Sequence, residues 1–264
     1  MKTLTMYQVD AFTDRIFGGN PAAVIITDQF LSDDRMQAIA NENNLAETAF
    51  LVPEGKDYKL RWFTPDVEVD LCGHATLAAA YVLKKVLGKN QNPLRFHSKY
   101  KGILEVFDEG DRLYLNFPSD RLKEVDLRVK IRSAIGFEPV ETFKGETDFI
   151  AVLKDEKSVA SISPDIAKVA ALGGRGLIVT AAGDKADFVS RFFAPQTGVD
   201  EDYVTGSAHT SLIPLWSKKI NKKELLAHQI SDRMGILYCR DKVNRVWIGG
   251  TATLFMRATI YIPN

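Results

Sequence analysis

Two stretches of this chain repeat one pattern half a chain apart. Phe63-Thr64-Pro65, an acidic linker and Gly73-His74-Ala75-Thr76 lead into an apolar run that ends at Leu83. Phe193-Ala194-Pro195, an acidic linker and Gly206-Ser207-Ala208-His209 lead into a second run, Thr210 to Trp216. The offset is 130 positions at the Phe-x-Pro step and 133 at the glycine. Solenoid repeats are shorter, roughly 20–50 residues, so an echo of this length points to two like-folded halves. The expected halves are residues 1–118, completed by a last strand at about 252–264, and residues 119–251.

The first run is apolar at nearly every position from Ala75 to Leu83, so a helix there is buried on all sides. A buried helix led by a glycine still presents its first N–H groups and the positive end of its dipole, which suits a phosphate or carboxylate. Pro214 sits inside the second run and removes a backbone bond, at about 3 kcal/mol unless a break accommodates it. After the first run the sequence predicts short strands at Leu94 to His97, Ile103 to Phe107 and Leu113 to Phe117, separated by turns such as Glu109-Gly110-Asp111, which favours antiparallel sheet over a βαβ series. Further helices are expected from Ser32, over 126–135, and after Ser163-Pro164-Asp165, with the serine as cap and the proline in the first turn.

The 264 residues are 45% hydrophobic, and 34 basic side chains balance 34 acidic ones. Nothing in that balance favours nucleic acid or a membrane surface, so the expected partner is a small neutral molecule or a small anion. Two cysteines, Cys72 and Cys239, are too few for a disulfide framework and imply a reducing compartment. With no apolar run of 18 residues and no signal-like start, the expected location is the cytoplasm.

The groups that carry chemistry are Glu47, His74, Asp202, Ser207 and His209, with Asp10, Asn20 and Cys72 in the same segments. His74 and His209 lack the spacing of a zinc-binding helix, and no metal is expected. Ser207 lacks the second glycine of a nucleophile elbow. Gly173-Gly174-Arg175-Gly176 precedes a strand rather than joining strand to helix, so it is no dinucleotide fingerprint, and no cofactor is expected. What remains is acid–base chemistry. A carboxyl at the mouth of a partly apolar pocket, as Glu47 is placed, can both take and return a proton. Each residue also has a plain structural reading: Glu47 as a solvated strand end, Asp202 as a capping partner, Ser207 as a helix N-cap, His209 as a packed core residue.

Four ordered motifs, VDAFTDRIFGGNPAAV, NLAETAF, FTPDVEVDLCGHATLAAAYVL and FAPQTGVDEDYVTGSAHTSLIPLW, resemble the phenazine-biosynthesis PhzF-like family over nearly the whole chain. The resemblance implies an α+β, diaminopimelate epimerase-like fold of two similar halves, each a curled antiparallel sheet around a central helix, with the active site in the cleft between them. It further implies a cofactor-independent isomerase, usually a homodimer, acting on a small carboxylate such as trans-2,3-dihydro-3-hydroxyanthranilate. The family's acid–base glutamate falls on Glu47, its substrate-contacting groups on His74, Asp202 and Ser207, and its substrate-binding segments on Asn20, Gly73, Gly206 and Ala208. Tyr203 departs from the proline usual after the aspartate, which leaves the aim of Asp202 open. Two other functions are compatible with the same pattern: a two-base amino-acid epimerase or racemase using Cys72, and a carboxylate-binding protein without turnover.

Overall fold

Strand-forming alternation at the start of the chain builds the first layer. In the computed structural model, which describes residues 1–263, Lys2–Ala11 pairs antiparallel with both Asn20–Ile26 and Ala252–Ile262. Asn264, the last position of the strand expected at 252–264, lies outside the described residues. The chain divides into two units, Met1–Asn116 with Gly249–Asn264, and Phe117–Ile248.

In the first unit Asn20–Ile26 runs parallel to Glu47–Glu54, with the helix Asp33–Asn43 as the crossover. Glu47–Glu54 turns back into Asp57–Phe63, which is parallel in turn to Leu94–Ser98 across the helix Gly73–Tyr81. Gly102–Glu109 and Arg112–Pro118 complete an antiparallel meander. The run Gly73–Ala80 is buried at every residue and packs against Lys2–Ala11, Asn20–Ile26 and Glu47–Glu54. Small Ala78, Ala79 and Ala80 let the strands close around it. The α-helical turns stop at Tyr81, earlier than the sequence suggests, and widen over Val82–Val86, where Leu87 N–H donates to Val82 O at 2.9 Å. A second apolar layer, with Met36 and Ala40 of helix Asp33–Asn43 against Ile25, Phe50 and Phe63, seals the unit's other side.

The second unit repeats this order. Phe149–Val152 is parallel to Leu177–Ala182, which turns back into Phe188–Ala194, which is parallel to Glu224–Gln229 across the helix His209–Ile220. Side chains repeat as well. Arg61 grips Glu68 through Nε and Nη2 at 2.6 and 2.7 Å and lies 5.1 Å from the Phe63 ring centroid. Arg191 grips Glu201 through the same two atoms at 2.7 and 2.7 Å and lies 5.0 Å from that of Phe193. A guanidinium clamp reproduced at the same strand positions marks two copies of one supersecondary unit.

Three details differ from the sequence expectation. Each unit contains two parallel strand pairs as well as antiparallel ones, because helical segments serve as the crossovers between them. The helix after Ser163 is capped by Asp165, whose carboxylate accepts from Lys168 N–H, and runs Ile166–Ala171, so Ser163 and Pro164 precede it. The second glycine-led helix begins at His209, after tight turns in which His209 N–H and Thr210 N–H donate to Gly206 O and Ser207 O at 3.1 Å. Pro214 is accommodated without an orphaned carbonyl. Thr210 O, the acceptor it leaves without an intrahelical donor, takes the Asp120 N–H at 3.1 Å, and Asp120 Oδ2 accepts from Ser211 Oγ at 2.7 Å. Among the described residues no helix is long and apolar enough to cross a membrane.

Candidate functional site

Glu47 opens its strand and projects toward the helix that starts at Gly73. Its side chain is 17% exposed, so it is not the solvated strand end that its position alone allows. Glu47 Oε2 lies 2.9 Å from Nε2 of His74, which is buried. The contact is off the line of an ideal hydrogen bond, and both atoms are sealed from solvent. On the other side of the ring, His74 Nδ1 is 3.2 Å from Asn20 Nδ2 and 3.6 Å from Cys72 Sγ. The ring is thus held between Asn20 and Cys72 at Nδ1 and Glu47 at Nε2.

Burial of His74 disfavours its charged form, while Cys72 and Glu47 push the other way, and the net direction is upward. Burial pushes the Cys72 thiol up to about 11, so it is neutral at pH 7 and Glu47 is the charge that favours a protonated His74. The first intrahelical bond is Thr76 N–H to Cys72 O, at 3.2 Å, which leaves the Gly73 and His74 N–H groups at the helix's positive end.

Glu47, Cys72 and His74 place one donor atom each within 4.8 Å of one another, a cluster that sequence spacing does not reveal. It does not suit a single metal ion. Cys72 lies at Nδ1 and Glu47 at Nε2, so the two flank different ring nitrogens rather than converging on one.

In the second unit Asp202, Ser207 and His209 are each engaged. Asp202 Oδ2 accepts from Thr205 Oγ1 at 2.6 Å, and its carbonyl accepts from Gln229 Nε2 at 2.8 Å. Gln229 Oε1 in turn receives Thr205 N–H at 2.8 Å. These bonds orient Asp202 without a following proline, and Tyr203 turns half out, its ring 5.7 Å from the Arg233 guanidinium. Ser207 is not the N-cap; Ala208 is, and no side chain caps the helix. Instead Ser207 Oγ accepts from Arg175 Nη1 at 2.8 Å. Arg175 was absent from the sequence-based set because only the sheet register brings the Gly-Gly-Arg-Gly loop to this helix.

His209 is fully buried, as its structural reading has it, and its Nδ1 is 2.9 Å from Thr205 O. Burial lowers its pKa to about 4. An unfolded chain therefore takes up this proton below about pH 6.5 while the folded one resists it until about pH 4, and stability falls as pH drops through that window. The urea midpoint should decline between pH 7 and pH 4.5, and His209→Gln should flatten that decline.

The duplication shows which residue of the second unit occupies the position equivalent to the acid. Thr48 pairs with Phe63 and Leu177 with Phe193, so the residue equivalent to Glu47 is Gly176. A Cβ at Gly176 would lie 2.5 Å from Phe193 O and 2.8 Å from the Phe192 ring, so no side chain fits there. Gly176→Ala should cost about 1–3 kcal/mol in chemical denaturation. By the glycine register, Cys72 corresponds to Thr205, and the remaining thiol, Cys239, is buried in the strand Gly235–Asp241.

The phenazine biosynthesis-like protein family matches residues 9–258. This chain belongs to that family. An uncharacterized isomerase of Pseudomonas aeruginosa is 49% identical over 98% of this chain and 99% of its own length. A phenazine biosynthesis protein of the PhzF family from Enterococcus faecalis superposes with a TM-score of 0.96 at 47% identity, over 99% of this chain and 100% of that one. The fold reaches further, to a hydroxyproline epimerase from Agrobacterium vitis with a TM-score of 0.60 at 10% identity, covering 98% and 92% of the two chains. The two-unit epimerase-type fold is therefore that of this family, and the chain is an isomerase of the PhzF-like kind.

Proposed function

We propose that the chain is a cofactor-independent isomerase that moves a proton on a small amino or hydroxy carboxylate, with Glu47 as the one acid–base group. The observation that carries this reading is the asymmetry of the duplicated position. Glu47 meets a buried, oriented histidine in one unit, and Gly176 leaves no room for a side chain in the other. The Glu47 carboxylate takes a proton from a substrate carbon, breaking C–H and forming O–H, and returns it to another carbon as the double bond moves. His74 sets its Nε2 edge against Glu47, and Asn20 holds the other edge of the ring at Nδ1. Asp202, Ser207 and the backbone at Gly73, Gly206 and Ala208 bind the rest of the substrate. The neutral Cys72 and the threonine at its counterpart weigh against the two-thiol epimerase reading. The two free, buried cysteines fit the cytoplasm, and the even charge balance fits a protein without a nucleic-acid or membrane partner. The family resemblance favours a homodimer.

The test is proton NMR in deuterated water with a panel of carboxylates headed by trans-2,3-dihydro-3-hydroxyanthranilate. Deuterium entering one carbon of a turned-over compound, unaffected by Cys72→Ser, is the expected result. Exchange at the α-carbon of amino acids that Cys72→Ser abolishes would instead establish the epimerase. Binding of panel members without exchange would establish a non-catalytic carboxylate binder.

A further inference from the structure

The Arg175 side chain is held more firmly than a surface arginine needs to be. Asp148, 3% exposed, accepts from Arg175 Nε at 2.9 Å and closes a second contact through Nη2. The guanidinium carbon lies 5.1 Å from the Phe192 ring centroid, and Arg175 N–H donates to Thr147 O at 2.8 Å. The flanking glycines allow this close passage. A Cβ at Gly174 would meet Thr147 O at 2.8 Å, and one at Gly176 would meet Phe193 O. Held this way, the guanidinium turns Nη1 to Ser207 Oγ.

We propose that Arg175 is a positioning residue that fixes the Ser207 hydroxyl as a donor to the carboxylate of a small-molecule ligand; the ligand class rests on the function proposed above. A guanidinium only donates, so its bond occupies a lone pair of Ser207 Oγ and leaves the hydroxyl proton to be given elsewhere. A serine so engaged selects an acceptor over a donor. A purely structural Arg175–Asp148 pair would not need the third contact. The device belongs to the second unit alone. By the strand registers, Asp148 and Arg175 correspond to Ala22 and Ala46, which carry neither charge. The duplicated unit thus bears an acid, Glu47, in one copy and the Arg175–Asp148 ion pair in the other.

The experiment measures binding of benzoate and anthranilate, with benzamide as the uncharged isostere, by isothermal titration. The proteins are wild type, Arg175→Lys, Ser207→Ala and the double variant Arg175→Lys/Ser207→Ala. Asp148→Asn/Arg175→Met removes both charges together and so avoids a stranded buried carboxylate. Wild type should prefer the carboxylates. Arg175→Lys and Ser207→Ala should each weaken them roughly tenfold, leave benzamide unchanged, and show no further loss when combined. Asp148→Asn/Arg175→Met, with an unchanged circular dichroism spectrum, should match Ser207→Ala. If wild type prefers carboxylates but Arg175→Lys has no effect, or its effect adds fully to that of Ser207→Ala, the positioning role is overturned and the carboxylate reading stands. If wild type shows no preference for carboxylates, the ligand class falls and this proposal falls with it.

Discussion

Glu47→Gln is expected to slow deuterium incorporation into a turned-over carboxylate by about 10²–10⁴-fold, the range that a positioned general acid–base group supplies. Glutamine keeps the size of the side chain and an oxygen for His74 Nε2–H to approach, but it can neither accept nor return a proton. Carboxylate binding should change far less, because the groups assigned to it are elsewhere. The fold should also survive. His74 is buried, and without the Glu47 charge it gives up its proton and becomes neutral rather than staying as an uncompensated cation. The same variant carries a spectroscopic signature. Glu47 is the anionic partner that favours a protonated His74 against burial, so the ring's titration observed by NMR should move downward in Glu47→Gln. A loss of turnover without that movement would mean that the 2.9 Å contact is not made in solution.

Phe188→Ala should be the most costly core substitution near the second unit's helix, by about 3–5 kcal/mol in denaturant titration and roughly 10 °C in melting temperature. The ring is fully buried, stacked on Trp216 with centroids 5.7 Å apart and planes 3° from parallel, and it lies 5.8 Å from the His209 ring. Trp216 is tied in turn to Thr180 through Nε1 at 2.9 Å. Truncation opens a cavity against two rings of the helix His209–Ile220, whose first turn follows Ser207. Water entering that cavity would ease protonation of His209. The variant should therefore lose part of the acid sensitivity between pH 7 and pH 4.5 along with its stability.

The two-unit fold was legible in the sequence because its strongest signals are local. The all-apolar run after Gly73, the Phe-x-Pro steps and Gly136 after residues 126–135 each act within a few residues, and the structure places helix ends beside them, with Gly136 at φ 78°. The duplication was legible only as an echo, since its firmest proof, the Arg61–Glu68 and Arg191–Glu201 clamps, depends on which strand faces which. Parallel pairing was missed for the same reason, as a crossover helix and a hairpin turn leave similar strand patterns. Of the candidate site, Glu47 and His74 stood out by residue type, and the contact between them is a fact of tertiary structure. Arg175 was invisible because glycine-rich loops are common and its meaning lies in Asp148 and Ser207, 27 and 32 positions away. Ser163 misled because serine before proline is a good cap, yet Asp165, two residues on, offers a charged acceptor to the helix dipole.

The central claim is that one carboxyl both removes and returns the proton. The most direct measurement uses the first compound shown to turn over, labelled with deuterium at the carbon that loses hydrogen, in ordinary water, with mass analysis of product formed early in the reaction. A single Glu47 carrying the label predicts that a measurable fraction of deuterium reappears at the new position, and that Cys72→Ser leaves that fraction unchanged. Product with no retained deuterium at the earliest times, together with loss of turnover in Cys72→Ser, would contradict it.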